Sequence, residues 1–296
     1  FFLIESLSTM LHSLNSRMLS SFRYQATSGL KNSAPVVNRR FKYTLVLTRH
    51  GESVWNKENK FTGWYDVPLS NKGHEEAAEA GHILNDAGFK FDLAFTSYLK
   101  RAIRTCDHTL DATDCLSIPV IKAWQLNERH YGGLTGLDKQ ETVAKYGPEQ
   151  VLIWRRSFDV PPPDVDTESE YYPGNDPMYR EIDKSLLPLA ESLKTTAERV
   201  LPYWENVIVP EIKSGKRILI AAHGNSLRAL VMHLDGVSES EITGLNIPTA
   251  TPLCYELDEN MKPIPQEGAM APLSARYIGN QAEIRARIEG VKNQTK

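Results

Sequence analysis

The chain has 296 residues, 41% of them hydrophobic, enough for a full core in one large domain or two small ones. No run of 18 apolar residues occurs, which argues against a transmembrane helix. The formal net charge is −3, yet residues 1–40 carry Arg17, Arg23, Lys31, Arg39 and Arg40 against Glu5 alone; the rest is therefore acidic, which argues against a nucleic-acid surface.

Residues 1–40 are rich in Ser, poor in acids and dotted with Arg. This composition fits an organellar transit peptide starting at Met10 or Met18, and equally a disordered leader. The body opens with an apolar run at 43–48 that ends in Arg49-His50-Gly51, and it predicts a buried parallel strand. A loop follows over 55–69, with Gly63 and Pro68. Ser70 then caps a predicted helix over 71–87, whose apolar stripe is Ala77, Ala80, Gly81, Leu84 and Ala87 and which Gly88 ends. A strand at 91–96, a helix at 98–110 and a short strand at 118–121 complete a β-α-β-α-β rhythm of right-handed parallel units.

From 124 to 156 the chain is aromatic, polar and helical in patches. The stretch 161–177 is rich in Pro, Gly and acids and predicts a long irregular loop. Residues 186–212 read as one long amphipathic helix bent at Pro202. A second apolar run, 217–222, ends in His223-Gly224-Asn225; a helix at 227–234 and a last strand at 253–257 follow. The tail after Pro263 is weakly patterned, with helical character over 281–288. The expected architecture is α/β, doubly wound, a mostly parallel sheet with helices on both faces. The expected organisation is a leader at 1–40, one catalytic domain at 41–265 and a C-terminal tail at 266–296.

Ligands of open α/β sheets bind outside the carboxyl ends of the strands, so the two His-Gly pairs are expected to meet in one crevice. A neutral histidine held in one tautomer can act as a nucleophile. Arg49 beside it suggests an anionic ligand held in a guanidinium fork. Two further basic pairs, Lys100-Arg101 and Arg155-Arg156, are candidates to neutralise phosphoryl charge. Glu128 is the candidate to exchange a proton with a substrate hydroxyl; its alternatives are an ion pair with Arg129 or an exposed carboxylate. His74, His82, His108 and His233 read as packed or solvated histidines on helices. No metal-ligand spacing or phosphate-binding Gly-x-x-x-x-Gly-Lys loop is present, so the chemistry is expected to run on histidine and arginine without a metal. Cys106, Cys115 and Cys254 make neither metal spacing nor a disulfide framework and read as reduced thiols.

Longer signatures sharpen this reading. They are Thr48-Arg49-His50-Gly51-Glu52-Ser53, Asn59-Lys60-Phe61-Thr62-Gly63-Trp64, Leu126-Asn127-Glu128-Arg129-His130-Tyr131-Gly132, Trp154-Arg155-Arg156-Ser157-Phe158-Asp159 and Ala222-His223-Gly224-Asn225-Ser226-Leu227-Arg228. From about 43 to 263 the chain closely resembles the 2,3-bisphosphoglycerate-dependent phosphoglycerate mutases of the histidine phosphatase superfamily. The resemblance implies that His50 is phosphorylated, that Glu128 donates and accepts the proton, and that His223 stabilises the transferring group. It implies that Arg49, Asn56, Arg101, Gly224 and Asn225 bind that group. Thr62 and Gly63 would bind the carboxylate region, and Tyr131, Lys139, Arg155 and Arg156 the second phosphate or carboxylate. Thr48 and Val54 depart from the family pattern without reaching the chemistry, and the tail departs more.

The implied activity is an isomerase reaction of glycolysis and gluconeogenesis, the interconversion of 3- and 2-phosphoglycerate. 2,3-Bisphosphoglycerate is the implied primer and no metal takes part. The implied partners are a small phosphorylated substrate and further copies of the chain, as homodimer or homotetramer, with no nucleic acid and no membrane. The expected location is cytoplasmic, or a mitochondrion or plastid if residues 1–40 are a transit peptide. A histidine phosphatase, a bisphosphoglycerate mutase and a non-catalytic binding protein are the competing readings. The long insert at 124–177, which carries substrate-grasping residues, favours the mutase.

Overall fold

A computed structural model describes residues 42–292. The leader expected at 1–40 lies outside the described residues. Six strands form one sheet: β1 (Tyr43–Arg49), β2 (Leu93–Thr96), β3 (Val120–Lys122), β4 (Ile218–Ala222), β5 (Leu253–Leu257) and β6 (Arg276–Tyr277), in the order β3-β2-β4-β1-β5-β6. The pairs β3-β2, β2-β4 and β4-β1 are parallel. β5 and β6 add an antiparallel edge. The sheet is therefore mostly parallel, as expected, but the strand at 253–257 runs against its neighbours and is not the last. Apolar patterning reports burial and carries no strand direction.

The strands are apolar on both faces because both faces are covered. Leu45, Leu47, Phe95, Ile218 and Ile220 belong to one core cluster; Val46, Ala94, Leu219 and Ala221 belong to the other. Among the described residues, ten α-helices flank the sheet and build its loops: α1 (Val54–Lys57), α2 (Asn71–Asp86), α3 (Lys100–Ala112), α4 (Lys139–Tyr146), α5 (Pro148–Arg156), α6 (Leu193–Tyr203), α7 (Val209–Lys213), α8 (Gly224–Asp235), α9 (Glu239–Gly244) and α10 (Gln281–Lys292). The Ser70 hydroxyl accepts from Gly73 N at 3.0 Å and caps α2 as predicted. Ala77, Ala80, Gly81 and Leu84 are buried; Ala87, expected in the stripe, is exposed at the helix end.

The helix expected over 186–212 begins later, at Leu193. Ser192 and Thr195 form a reciprocal capping box there, and 184–186 is a separate short turn. The bend expected at Pro202 is a π-helical turn over Trp204–Ile208. Pro202 and Pro210 both lack an N–H, so the regular ladder breaks on either side, and Asn206 Nδ2 donates to the Pro202 carbonyl at 2.8 Å. The tail is less loose than its patterning suggests. Leu273, Ala275, Tyr277 and Ile284 join the core, and a two-residue strand such as β6 is too short to leave a period in the sequence. The three cysteines are free and buried. Among the described residues no helix is long and apolar enough to cross a membrane.

Candidate active site

β1 and β4 lie side by side at the centre of the sheet, with Arg49 opposite Ala222. The ladder continues one step further, where His50 N donates to the Ala222 carbonyl at 2.9 Å. Both His-Gly pairs therefore leave the same carboxyl edge, and the rings of His50 and His223 stand 5.0 Å apart. Gly51 is needed because a Cβ there would lie 2.2 Å from the carbonyl oxygen of Gly73, in the first turn of α2. Its N–H donates to Thr105 Oγ1 on α3 at 3.1 Å.

His50 Nδ1 lies 2.6 Å from the Gly51 carbonyl oxygen. A carbonyl only accepts, so the proton sits on Nδ1 and the lone pair of Nε2 is the nucleophilic one. Burial first, then Arg101 and Arg49, holds the His50 pKa well below the usual histidine range, so the ring is neutral at pH 7. His223 is fully buried and likewise held well below that range by burial, Arg101 and His50. Its Nε2 bonds Ser97 Oγ at 2.7 Å, and its Nδ1 has no partner among the described residues.

Every residue singled out from the sequence for the site, His223 and Lys100 excepted, lines one cavity. His223 instead stands against His50, off the cavity surface. Arg49 Nη1 donates to the Ile247 carbonyl at 2.9 Å. Arg101, 1% exposed, donates from Nη2 to Gly63 O at 2.8 Å and from Nη1 to Tyr65 O at 3.1 Å, so it also shapes the loop carrying Thr62 and Gly63. Gly63 adopts φ +57°, with Tyr131 N only 3.1 Å from where a Cβ would stand. Asn56 Oδ1 accepts from Ser53 N and Oγ, which leaves the amide NH2 to meet a ligand. Glu128 Oε1 accepts from Arg129 N at 2.7 Å, Asn225 N at 3.1 Å and Asn225 Nδ2 at 2.9 Å. The Glu128 side chain is thus buried and held by Asn225 on α8, not exposed. Oε2 has no hydrogen bond among the described residues.

The insert supplies Tyr131, Lys139 on α4, and Arg155 and Arg156 on the last turn of α5. Lys139 is buried, donates to Asn59 Oδ1 at 3.3 Å, and has its pKa pushed down to about 7 by burial and then by Arg155 and Arg49. Lys100 departs from its pair: it is exposed and faces Asp66 at 3.5 Å. The sequence reading did not place Lys60, Phe61, Leu245, Asn246 or Ile247 in the cavity, and named Arg228 only as a neighbour of the second His-Gly pair. Arg228 Nη1 donates to Asn225 Oδ1 at 2.9 Å and Nη2 to the Ile242 carbonyl. For Leu245–Ile247 there was no local signal to find. Of the other histidines, His74 Nδ1 meets His108 Nε2 at 2.9 Å, and His233 lies 3.3 Å from Glu205.

One property unites the site. Arg49 Nε, Arg101 Nε, Arg129 Nε and Nη1, His223 Nδ1 and Arg228 Nε are buried with no partner among the described residues. A buried donor without an acceptor costs about 1–3 kcal/mol. Arg129 lies over the Tyr131 ring at 4.6 Å, so these nitrogens gather at the cavity lining and directly behind it. The cavity lining itself is cationic, with Arg49, Arg101, Lys139, Arg155, Arg156 and Arg228, and such a lining suits an anion rich in acceptor oxygens. Among the described residues no group of three or more His, Cys, Asp or Glu could hold a metal ion.

Residues 45–264 match the sequence model of the histidine phosphatase superfamily, branch 1. Among solved structures, a mycobacterial glucosyl-3-phosphoglycerate phosphatase complexed with VO3 is similar, with 21% identity, TM-score 0.58, and coverage of 79% of this chain and 96% of that one. YhfR of Bacillus stearothermophilus shows 22% identity and TM-score 0.57, covering 77% and 98%. An alpha-ribazole phosphatase of Shigella flexneri shows 20% identity and TM-score 0.56, covering 80% and 99%. At such identities the likeness is one of fold.

Proposed function

The chain belongs to the histidine phosphatase superfamily, and on that premise we propose that it interconverts 3-phosphoglycerate and 2-phosphoglycerate through a phosphorylated His50. The observation that carries this reading is the set of cationic side chains, Arg49, Arg101, Lys139, Arg155, Arg156 and Arg228, that line one cavity with His50 and Glu128. That much positive charge suits a substrate with two anionic groups. 2,3-Bisphosphoglycerate supplies the first phosphoryl group, and the cationic lining fits its charge.

In this mechanism Nε2 of His50 attacks phosphorus while the bond to the sugar-acid oxygen breaks, and Glu128 gives that oxygen its proton. In the return step Glu128 takes the proton of the attacking hydroxyl as the N–P bond breaks. Arg49, Arg101 and His223 donate to the phosphoryl oxygens, offsetting the repulsion between anions as they approach. Tyr131, Lys139, Arg155 and Arg156 hold the second anionic group, so the bisphosphate turns over inside the site instead of leaving. The steps run on side-chain groups without a metal.

The second reading is hydrolysis, in which water takes the phosphoryl group from His50. It is favoured by the neighbours described as phosphatases, for glucosyl-3-phosphoglycerate and for alpha-ribazole. One assay separates the two: incubation with 3-phosphoglycerate and a trace of bisphosphate, following 2-phosphoglycerate and free phosphate. The mutase yields 2-phosphoglycerate with little phosphate. Phosphate without isomer gives the hydrolase, and neither product leaves a binding protein.

A further inference from the structure

Two buried residues outside the cavity deserve a role. Arg199 sits on α6, and Glu191 lies just before its N-cap; their side chains are 8% and 4% exposed. All five N–H groups of the Arg199 guanidinium are spent. Nε donates to Glu191 Oε1 at 2.6 Å, and Nη2 to Glu191 Oε2 at 2.8 Å and the Glu128 carbonyl at 2.9 Å. Nη1 donates to the carbonyls of Gln125 at 2.7 Å and Asn127 at 3.1 Å. Glu191 Oε2 also accepts from His130 N at 2.7 Å. The backbone is thus gripped before Glu128, at Glu128 and two residues after it. The same α6 packs on α8, whose Asn225 holds the Glu128 carboxylate.

We infer that Arg199 and Glu191 are positioning residues that set the Glu128 carboxyl against the reacting oxygen. This rests on the reading above, in which Glu128 exchanges a proton with the substrate. Only a planar fork can serve three carbonyls and a carboxylate at once; a lysine ammonium has three donors and no plane. The alternative is a buried ion pair that only holds the fold together, and such a pair is weak evidence for stability.

Leaving-group dependence separates the two. Phosphorylation of His50 breaks a P–O bond and forms an N–P bond. An alkoxide leaving from 2,3-bisphosphoglycerate needs the proton of Glu128, whereas p-nitrophenolate leaving from p-nitrophenyl phosphate does not. The rate of His50 phosphorylation from each donor is read by intact mass in single-turnover mixing. In Arg199→Lys the bisphosphoglycerate rate is expected to fall about 100-fold more than the aryl phosphate rate, within the range of general-acid effects. Equal losses on both donors, or no loss on either, would overturn the positioning role. Glu128→Gln is expected to show the same imbalance. Its absence there would overturn the reading of Glu128 itself, and its presence there but not in Arg199→Lys would overturn the positioning role alone. If Arg199→Lys does not fold, Glu191→Asp, which keeps the charge but draws the carboxylate back from His130 N, is judged by the same comparison.

Discussion

Lys139 gives the site a pH signature that can be measured. With its pKa pushed down to about 7, chiefly by burial, the side chain loses its charge as pH rises through neutrality in the free protein. An anion prefers the charged form, so affinity is greatest below pH 7 and declines above it. A bound anion in turn raises the Lys139 pKa, and binding at pH 7.5 should take up protons. Calorimetric titration of 2,3-bisphosphoglycerate in two buffers of different ionisation enthalpy should show this uptake, and Lys139→Met should remove most of it. Uptake that persists in the variant would place the titrating group elsewhere. His50 and His223 do not compete for this assignment, because burial and the neighbouring arginines keep both neutral well below that pH.

At the scale of elements, the position of His50 depends on how closely α2 approaches the loop after β1. A Cβ on Gly73 would lie 1.9 Å from the Glu52 carbonyl oxygen, and one on Gly51 would lie 2.2 Å from the Gly73 carbonyl oxygen. Both obstacles are backbone and cannot swing aside. Gly73→Ala should cost about 3 kcal/mol in urea unfolding, the upper range for overpacking, and should displace His50 enough to slow its phosphorylation. Gly244→Ala, where a new Cβ meets nothing within 4 Å, should change stability by less than about 0.5 kcal/mol. A Gly73→Ala protein as stable as the parent would show that the loop yields. The partner that Gly51 approaches comes only from the helix that folds back onto it, which no neighbour in the sequence records.

Taken as a whole, an acidic chain gathers cationic side chains around one cavity. Arg228 has its pKa pushed down to about 9 by burial, then by Arg156 and Arg129; Arg155 and Arg101 are each pushed down to about 10, chiefly by burial. Burial and crowding of like charges disfavour the empty site, and a bound anion would offset them. A ligand at 100 times its Kd adds about 2.7 kcal/mol, and for a domain of this size each kcal/mol moves Tm by about 2–4 °C. 2,3-Bisphosphoglycerate should therefore raise the melting temperature in scanning calorimetry by about 5–10 °C. A melting temperature that ignores saturating bisphosphate would remove the cavity as its site.

Local chemistry was legible before any coordinates. Apolar runs ending in His-Gly announced buried strands and the shared carboxyl edge where both pairs meet, because hydrophobic period reports burial and glycine reports close backbone approach. Ser70 and the bend near Pro202 were legible for the same reason: caps and missing N–H groups act within a few residues. The antiparallel course of β5, the place of Leu245–Ile247 in the cavity, the setting of His223 behind His50 and the grip of Arg199 on the Glu128 backbone were not. Each depends on contacts between segments far apart in the chain, where the energy lies in which carbonyl meets which donor and no residue's neighbours in sequence record the outcome.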